Sequence, residues 1–192
     1  MPRMEDRLST SLILLCAAST SSARTGGFPA PDEPLDEAGR RAAAGCPLPE
    51  RFRVTVMASP SRAALETASA MGLSVHEEKA LMDVDHGLWS GRAFSEIAPE
   101  ALAIWLADPS SGAPGGESLA AARHRVGVWL DGIATAGKPV CAITHATMIR
   151  AALAHTLDLT LPATLRIDIA PLSRVLLSFN RFWRLQAIGP FD

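Results

Sequence analysis

His145 follows a short apolar run, residues 140–144, and precedes a segment in which Ile149, Ala152, Leu153 and Leu157 recur at helical spacing. An imidazole at a strand-to-helix junction lies where free backbone N–H groups favour anions, and it can exchange a proton near neutral pH. The bland alternative is a packed ring that donates to a backbone carbonyl. Cys16 and Ala17 stand at the end of a second apolar run, residues 12–18, and Ser59 follows a third, residues 53–57, with β-branched Val54, Thr55 and Val56. A thiolate at Cys16 near His145 would be a competent nucleophile if its pKa were lowered; otherwise the residue is a small buried hydrophobe. In an open α/β sheet ligands bind at the carboxyl ends of strands, so these residues converge on one pocket if the three runs are neighbouring strands.

That convergence depends on the intervening chain. Residues 12–18 predict a buried strand, and 19–34, rich in Gly, Ser and Pro, a surface loop. Asp36 can cap a helix through Arg40 and Ala44, with Gly45 past its end. Residues 53–57 predict a second strand and 61–71 a helix stopped by Gly72; Pro99 suits the first turn of another that carries Leu102, Trp105 and Leu106 on one side. After Ser118, the stripe of Leu119, Ala122, Val126, Trp129, Leu130 and Ile133 reads as the core side of a helix, with Arg123, Arg125 and Asp131 on its opposite face. Residues 166–169 and 175–179 look strand-like, and Asn180-Arg181 turns the chain into a hairpin partner at 183–187. The alternation predicts a three-layer α/β/α sandwich with a mostly parallel sheet, one domain over residues 1–192, with residues 1–10 flexible.

Composition narrows the functions available. At 192 residues, 48% hydrophobic and 20% charged, the chain can bury a full core. A net charge of -2 offers no basic field for nucleic acid or a membrane surface, which leaves a small-molecule partner. Cys16, Cys46 and Cys141 share no metal-ligand spacing and are odd in number, which points to a reducing, cytoplasmic setting without a metal or other cofactor. Arg3, Arg7 and the apolar run after them have the outline of a signal peptide, but Glu5 and Asp6 dilute the charge and Leu15 is poorly suited to precede a lipoprotein Cys16.

Several motifs occur in a telling order. They are Asp36-Glu37-Ala38-Gly39 after Asp32-Glu33-Pro34-Leu35; Ala58-Ser59-Pro60 with Arg62 and Glu66-Thr67-Ala68; Asp83-Val84-Asp85-His86-Gly87-Leu88-Trp89-Ser90-Gly91; Pro114-Gly115-Gly116-Glu117-Ser118; and Ile143-Thr144-His145-Ala146 with Ile149-Arg150. In this order the chain resembles the histidine phosphatase superfamily, the phosphoglycerate-mutase-like enzymes. The resemblance implies that fold and descent from phosphomonoesterases of small phosphorylated or anionic metabolites, of which α-ribazole phosphatase is one type. Catalysis there needs a neutral histidine to attack phosphorus, a proton donor for the leaving oxygen, and cations around the phosphoryl group.

On this chain the resemblance carries the proton donor onto Asp83 and a second pocket histidine onto His145. It places Ala17 at the nucleophile and Cys16 at the phosphate-binding arginine of the Arg-His pair; Ala23 falls where the family often has Asn. Thr20, Glu117 and Ala146 complete the implied substrate site, and Arg24 or Arg62 could swing in for the missing arginine, although Arg62 sits one residue early and leaves Ala63 in its place. Asp83 has a plainer reading as a loop carboxylate paired with Arg92, Glu117 as a helix start, and His86 as a ring filling an aromatic space or an extra titrating group.

Three readings stay open. The chain is an enzyme that uses His145 and Asp83, or Cys16; or it is a pseudoenzyme that binds through an inherited pocket; or Ala17 is an inactivating replacement of a histidine in a phosphatase. Phosphohistidine turnover is expected to be absent or weak, and the oligomeric state is open, a homodimer included.

Overall fold

Leu12, Leu14 and Cys16 face one side of the sheet and Ile13, Leu15 and Ala17 the other, which is the pattern of a central strand buried on both faces. The computed structural model describes residues 9–108 and 110–190. Among them six strands form one mixed sheet: β1 (Thr10–Cys16), β2 (Val56–Ala58), β3 (His76–Glu77), β4 (Pro139–Thr144), β5 (Arg174–Asn180) and β6 (Phe182–Gly189), in the order β3-β2-β4-β1-β5-β6. The pairings β3–β2, β2–β4 and β4–β1 are parallel, and β1–β5 and β5–β6 antiparallel. The expected mostly parallel sandwich is therefore present, with a hairpin on one edge.

The helices are α1 (Ser21–Thr25), α2 (Glu37–Ala44), α3 (Arg62–Ala70), α4 (Pro99–Ala107), α5 (Leu119–Ile133), α6 (Ala146–Thr156) and α7 (Leu161–Thr164). Val126 and Leu130 of α5, with Met148, Ile149 and Leu153 of α6, pack on the Leu12–Leu14 side. Ala43 of α2 and Ala63, Ala64 and Ala68 of α3 pack on the other with Ile13, Leu15, Cys141 and Ile143. Small side chains there let α2 come close. At Gly39 a Cβ would lie 2.3 Å from the Ser19 carbonyl oxygen, so helix and backbone touch directly.

Several expectations need correction. Of residues 53–57 only Val56 and Met57 belong to the second strand: the chain makes a 3₁₀ turn at Glu50–Phe52, anchored by buried Phe52, and β2 starts at Val56, leaving Val54 86% exposed. Residues 166–169 are turn and coil after α7, whose start is capped by the Thr160 hydroxyl; the Ile167 carbonyl accepts from Arg150 Nε at 2.9 Å instead of joining a ladder. The loop at 19–34 contains α1, capped by Thr20, and β3 is two exposed residues that carry no apolar signal. In α4 Leu106 is exposed while Leu102 and Trp105 pack inward. Of the expected flexible start, residues 1–8 lie outside the described residues; Thr10 is buried in β1, its hydroxyl donating to the Ala134 carbonyl at 2.8 Å.

Candidate active site

Three strand ends are tied together by the backbone. Ala17 N–H donates to the Thr144 carbonyl at 2.8 Å and Ser59 N–H to the Ile143 carbonyl at 2.9 Å, so the chain after β1, β2 and β4 leaves the sheet at one place. A cavity of about 470 Å³ opens there. Cys16, Ala17 and Ala18 form one wall, Ser61 and Ala63 of the α3 start another, and Asp83 to His86 and His145 to Thr147 close it; Thr20, Ala23, Glu33 and the prolines at 29 and 31 lie at its border.

His145 precedes α6 as its N-cap without a capping bond from its side chain, and the ring faces the cavity instead. Its Nε2 lies 2.9 Å from Ser61 Oγ and 3.1 Å from Ser59 Oγ, and its Nδ1 lies 3.8 Å from Asp83 Oδ2. The packed-ring alternative, donation to a backbone carbonyl, is not what this ring does. Asp83 does not pair with Arg92, whose guanidinium donates to the Glu96 carbonyl at 2.6 Å. Its other oxygen accepts from the Val84 N–H at 2.9 Å.

A partly buried scaffold holds the Asp83 loop in place. Arg125 Nη1 donates to the carbonyls of Lys79, Ala80 and Met82 at 3.2, 2.8 and 3.0 Å, and Nη2 to that of Asp83 at 3.3 Å. Glu117 grips the same guanidinium with both oxygens, at 3.0 and 2.7 Å. Glu117 N–H also donates to the Asp85 carbonyl, and Leu88 N–H to the Pro114 carbonyl, so the glycine-bearing loop backs the Asp83 loop. Glu117 thus stands behind the cavity wall, outside the substrate site expected for it. Arg125, expected on a solvated face, is the central fastener; a carboxylate at Glu117, just ahead of the helix that carries it, was the signal for it.

Arg24 and Arg62 do not reach the cavity either. Arg24 donates to Asp36 at 2.6 Å and Arg62 to Glu66 at 2.8 Å, both with more than half of the side chain in solvent. Among the described residues no arginine or lysine lines the cavity, whereas Glu33, Asp83 and Asp85 do. Ala146 and Thr20 border it, the latter also capping α1. Cys16 is in the wall, but burial first and the Asp83 carboxylate second push its thiol up to about 12, so it stays protonated at neutral pH and the covalent thiolate route loses its nucleophile. Among the described residues no group of three or more His, Cys, Asp or Glu could hold a metal ion, and no helix is long and apolar enough to cross a membrane.

His86 fills an aromatic space. Its ring lies 4.7 Å from Phe28 and 6.2 Å from Trp105, 5% exposed, with Nδ1 buried and unpartnered. Burial chiefly lowers its pKa, against the pull of Asp83 and Asp85. A histidine whose folded pKa lies below its unfolded value stabilises the fold above that unfolded value, about 6.5, and loses the contribution as pH falls below it. His86→Phe is therefore expected to keep the packing and flatten the loss of melting temperature between neutral pH and about pH 5; an unchanged acid slope would assign that loss elsewhere.

The model of the histidine phosphatase superfamily (branch 1) matches residues 12–187. The chain belongs to the histidine phosphatase superfamily. Among curated relatives, a bifunctional protein of Mycobacterium tuberculosis is 33% identical over 179 residues, 85% of this chain and 49% of the relative, so the chain spans about half the length of that protein. Phosphoserine phosphatase 1 of Hydrogenobacter thermophilus is 34% identical over 94 residues, 46% of this chain and 44% of that protein. The mycobacterial glucosyl-3-phosphoglycerate phosphatase, solved in complex with VO3, superposes with a TM-score of 0.82 at 25% identity, covering 94% of this chain and 99% of that one. This superfamily fold brings Ala17, Asp83 and His145 to one cavity and leaves Arg24, Arg62 and Glu117 outside its lining.

Proposed function

We propose that this superfamily member binds a small organic molecule in its cavity and runs the phosphohistidine reaction weakly or not at all. The cavity itself supports the reading: the residue after β1 is Ala17, whose side chain is a methyl group, and among the described residues no lysine or arginine lines it. A phosphomonoester brings close to two negative charges, and here it would meet three carboxylates in the lining, while the Arg150 guanidinium, whose charge reaches Cys16, is not a lining residue. Similarity to phosphatases of small phosphorylated substrates supports descent from such enzymes. The three free thiols, two of them buried, fit a reducing, cytoplasmic setting.

Hydrolysis of a generic aryl phosphate by the unmodified chain and by Ala17→His tests this. The unmodified chain should be near background. Ala17→His should gain little, because each missing donor to the phosphoryl charge costs on the order of a hundredfold or more. Fast turnover by the unmodified chain would overturn the proposal, and fast turnover only in Ala17→His would identify a phosphatase that lacks nothing but its nucleophile.

A further inference from the structure

We infer that Ser61, His145 and Asp83 form a nucleophile, base and orienting acid for acyl transfer, and that the cavity takes a small uncharged carboxylic ester. The proposal goes beyond the reading above and does not depend on phosphate chemistry. Ser61 borders the cavity, whereas Ser59 is fully buried and outside it. The Ser61 hydroxyl lies 2.9 Å from His145 Nε2, within reach for proton transfer. Asp83 Oδ2 stands 3.8 Å from the other ring nitrogen, beyond hydrogen-bond length, so its negative charge faces the Nδ1 side while Nε2 faces Ser61; a small approach of the carboxylate would make the orienting hydrogen bond. Ser59 Oγ accepts from the Ser61 N–H at 3.2 Å and helps fix where Ser61 sits.

Charge selects the substrate. Attack on an ester carbonyl develops a single negative charge, which two backbone amides can hold. The Ala63 N–H, in the first turn of α3, and the Thr147 N–H, in the first turn of α6, belong to lining residues and have no protein acceptor among the described residues. The apolar share of the wall, from Met82, Val84, Ile169 and Pro171, suits a short acyl or alkyl group.

The step balances without a cofactor. Ser61 Oγ bonds to the carbonyl carbon as its proton passes to His145 Nε2. Collapse of the tetrahedral intermediate breaks the bond to the alcohol oxygen, which leaves with that proton. Water then attacks the acyl-serine, gives its proton to Nε2, and Ser61 recovers it as the carboxylic acid departs.

The experiment uses the full chain, p-nitrophenyl butyrate as substrate and a fluorophosphonate as trap. Turnover and one phosphonyl group on the peptide that carries Ser61 are expected, the fluoride leaving as the serine oxygen bonds to phosphorus. Ser61→Ala should lose the label and at least about a hundredfold of turnover. Because Ser61 Oγ also caps α3, accepting from the Ala64 N–H at 3.4 Å, Ser61→Asn serves as a second variant that keeps a capping oxygen and removes the nucleophile. A Ser61 peptide that stays unlabelled in the folded natural chain, or ester turnover retained in Ser61→Asn, overturns the inference. Neither outcome bears on aryl phosphate hydrolysis, so the two proposals fail separately.

Discussion

Arg125→Ala should destabilise the fold by about 2–4 kcal/mol, the range for removing one partner of a largely buried, multiply bonded ion pair. The guanidinium satisfies four carbonyls between Lys79 and Asp83 as well as Glu117, and its side chain and that of Glu117 are 26% and 20% exposed. Truncation leaves the carboxylate and the Ala80, Met82 and Asp83 carbonyls without this donor at once, while the Lys79 carbonyl keeps the Met82 N–H. Lysine cannot replace it, since one ammonium lacks the planar fork that spans both sets of acceptors. Chemical denaturation of the natural chain, Arg125→Ala and Arg125→Lys measures the effect, and a loss below about 0.5 kcal/mol would show the scaffold to be redundant. The change should also release Asp83 from beside His145, so any activity that needs the pair should fall further than stability does.

Gly39→Ala sets two effects against each other. Helix propensity alone favours alanine by about 1 kcal/mol. The new Cβ, however, would lie 2.3 Å from the Ser19 carbonyl oxygen and 2.9 Å from the Ser19 nitrogen, both backbone atoms that cannot swing aside. Helix α2 must then back away from Ser19, and overpacking of this kind costs about 1–3 kcal/mol, with strain on the Asp36 links as well. The Asp36 carboxylate accepts from the Ser19 hydroxyl and from the Gly39 N–H, both at 2.6 Å, and these bonds hold it well below the usual carboxylate range. We expect steric cost to win, with a net fall in melting temperature of several degrees on thermal unfolding; a rise would mean that propensity dominates.

Much of the fold was legible because its long elements bury regular stripes. Leu119 to Ile133 and the run before His145 announced α5 and β4, and Asp36 and Gly45 marked both ends of α2. The short pieces were not legible. β3 is two exposed polar residues paired with β2, and the β-branched Val54 and Thr55 misled because burial of Phe52 fixes the turn ahead of the strand.

The site divided in the same way. Apolar periodicity placed the strand ends, the resemblance implied that His145 and Cys16 meet there, and the cavity lining includes both. Side-chain direction could not be read. Arg24 and Arg62 turn to Asp36 and Glu66, nearby carboxylates on the outer surface, and Glu117 turns to Arg125. Ser61 was missed because, in sequence, it is an ordinary helix cap; only the approach of β2 to β4 sets its hydroxyl against the imidazole.

The cavity walls are drawn from residues near 17, 61, 83, 145 and 170, so no short fragment of the chain contains the whole receptor. Occupancy is consequently linked to the melting of every element that supplies those walls. A compound present at a hundred times its dissociation constant would add about 2.7 kcal/mol to global stability, a thermal shift large enough to rank a library of esters, amines and phosphates without knowing the reaction in advance.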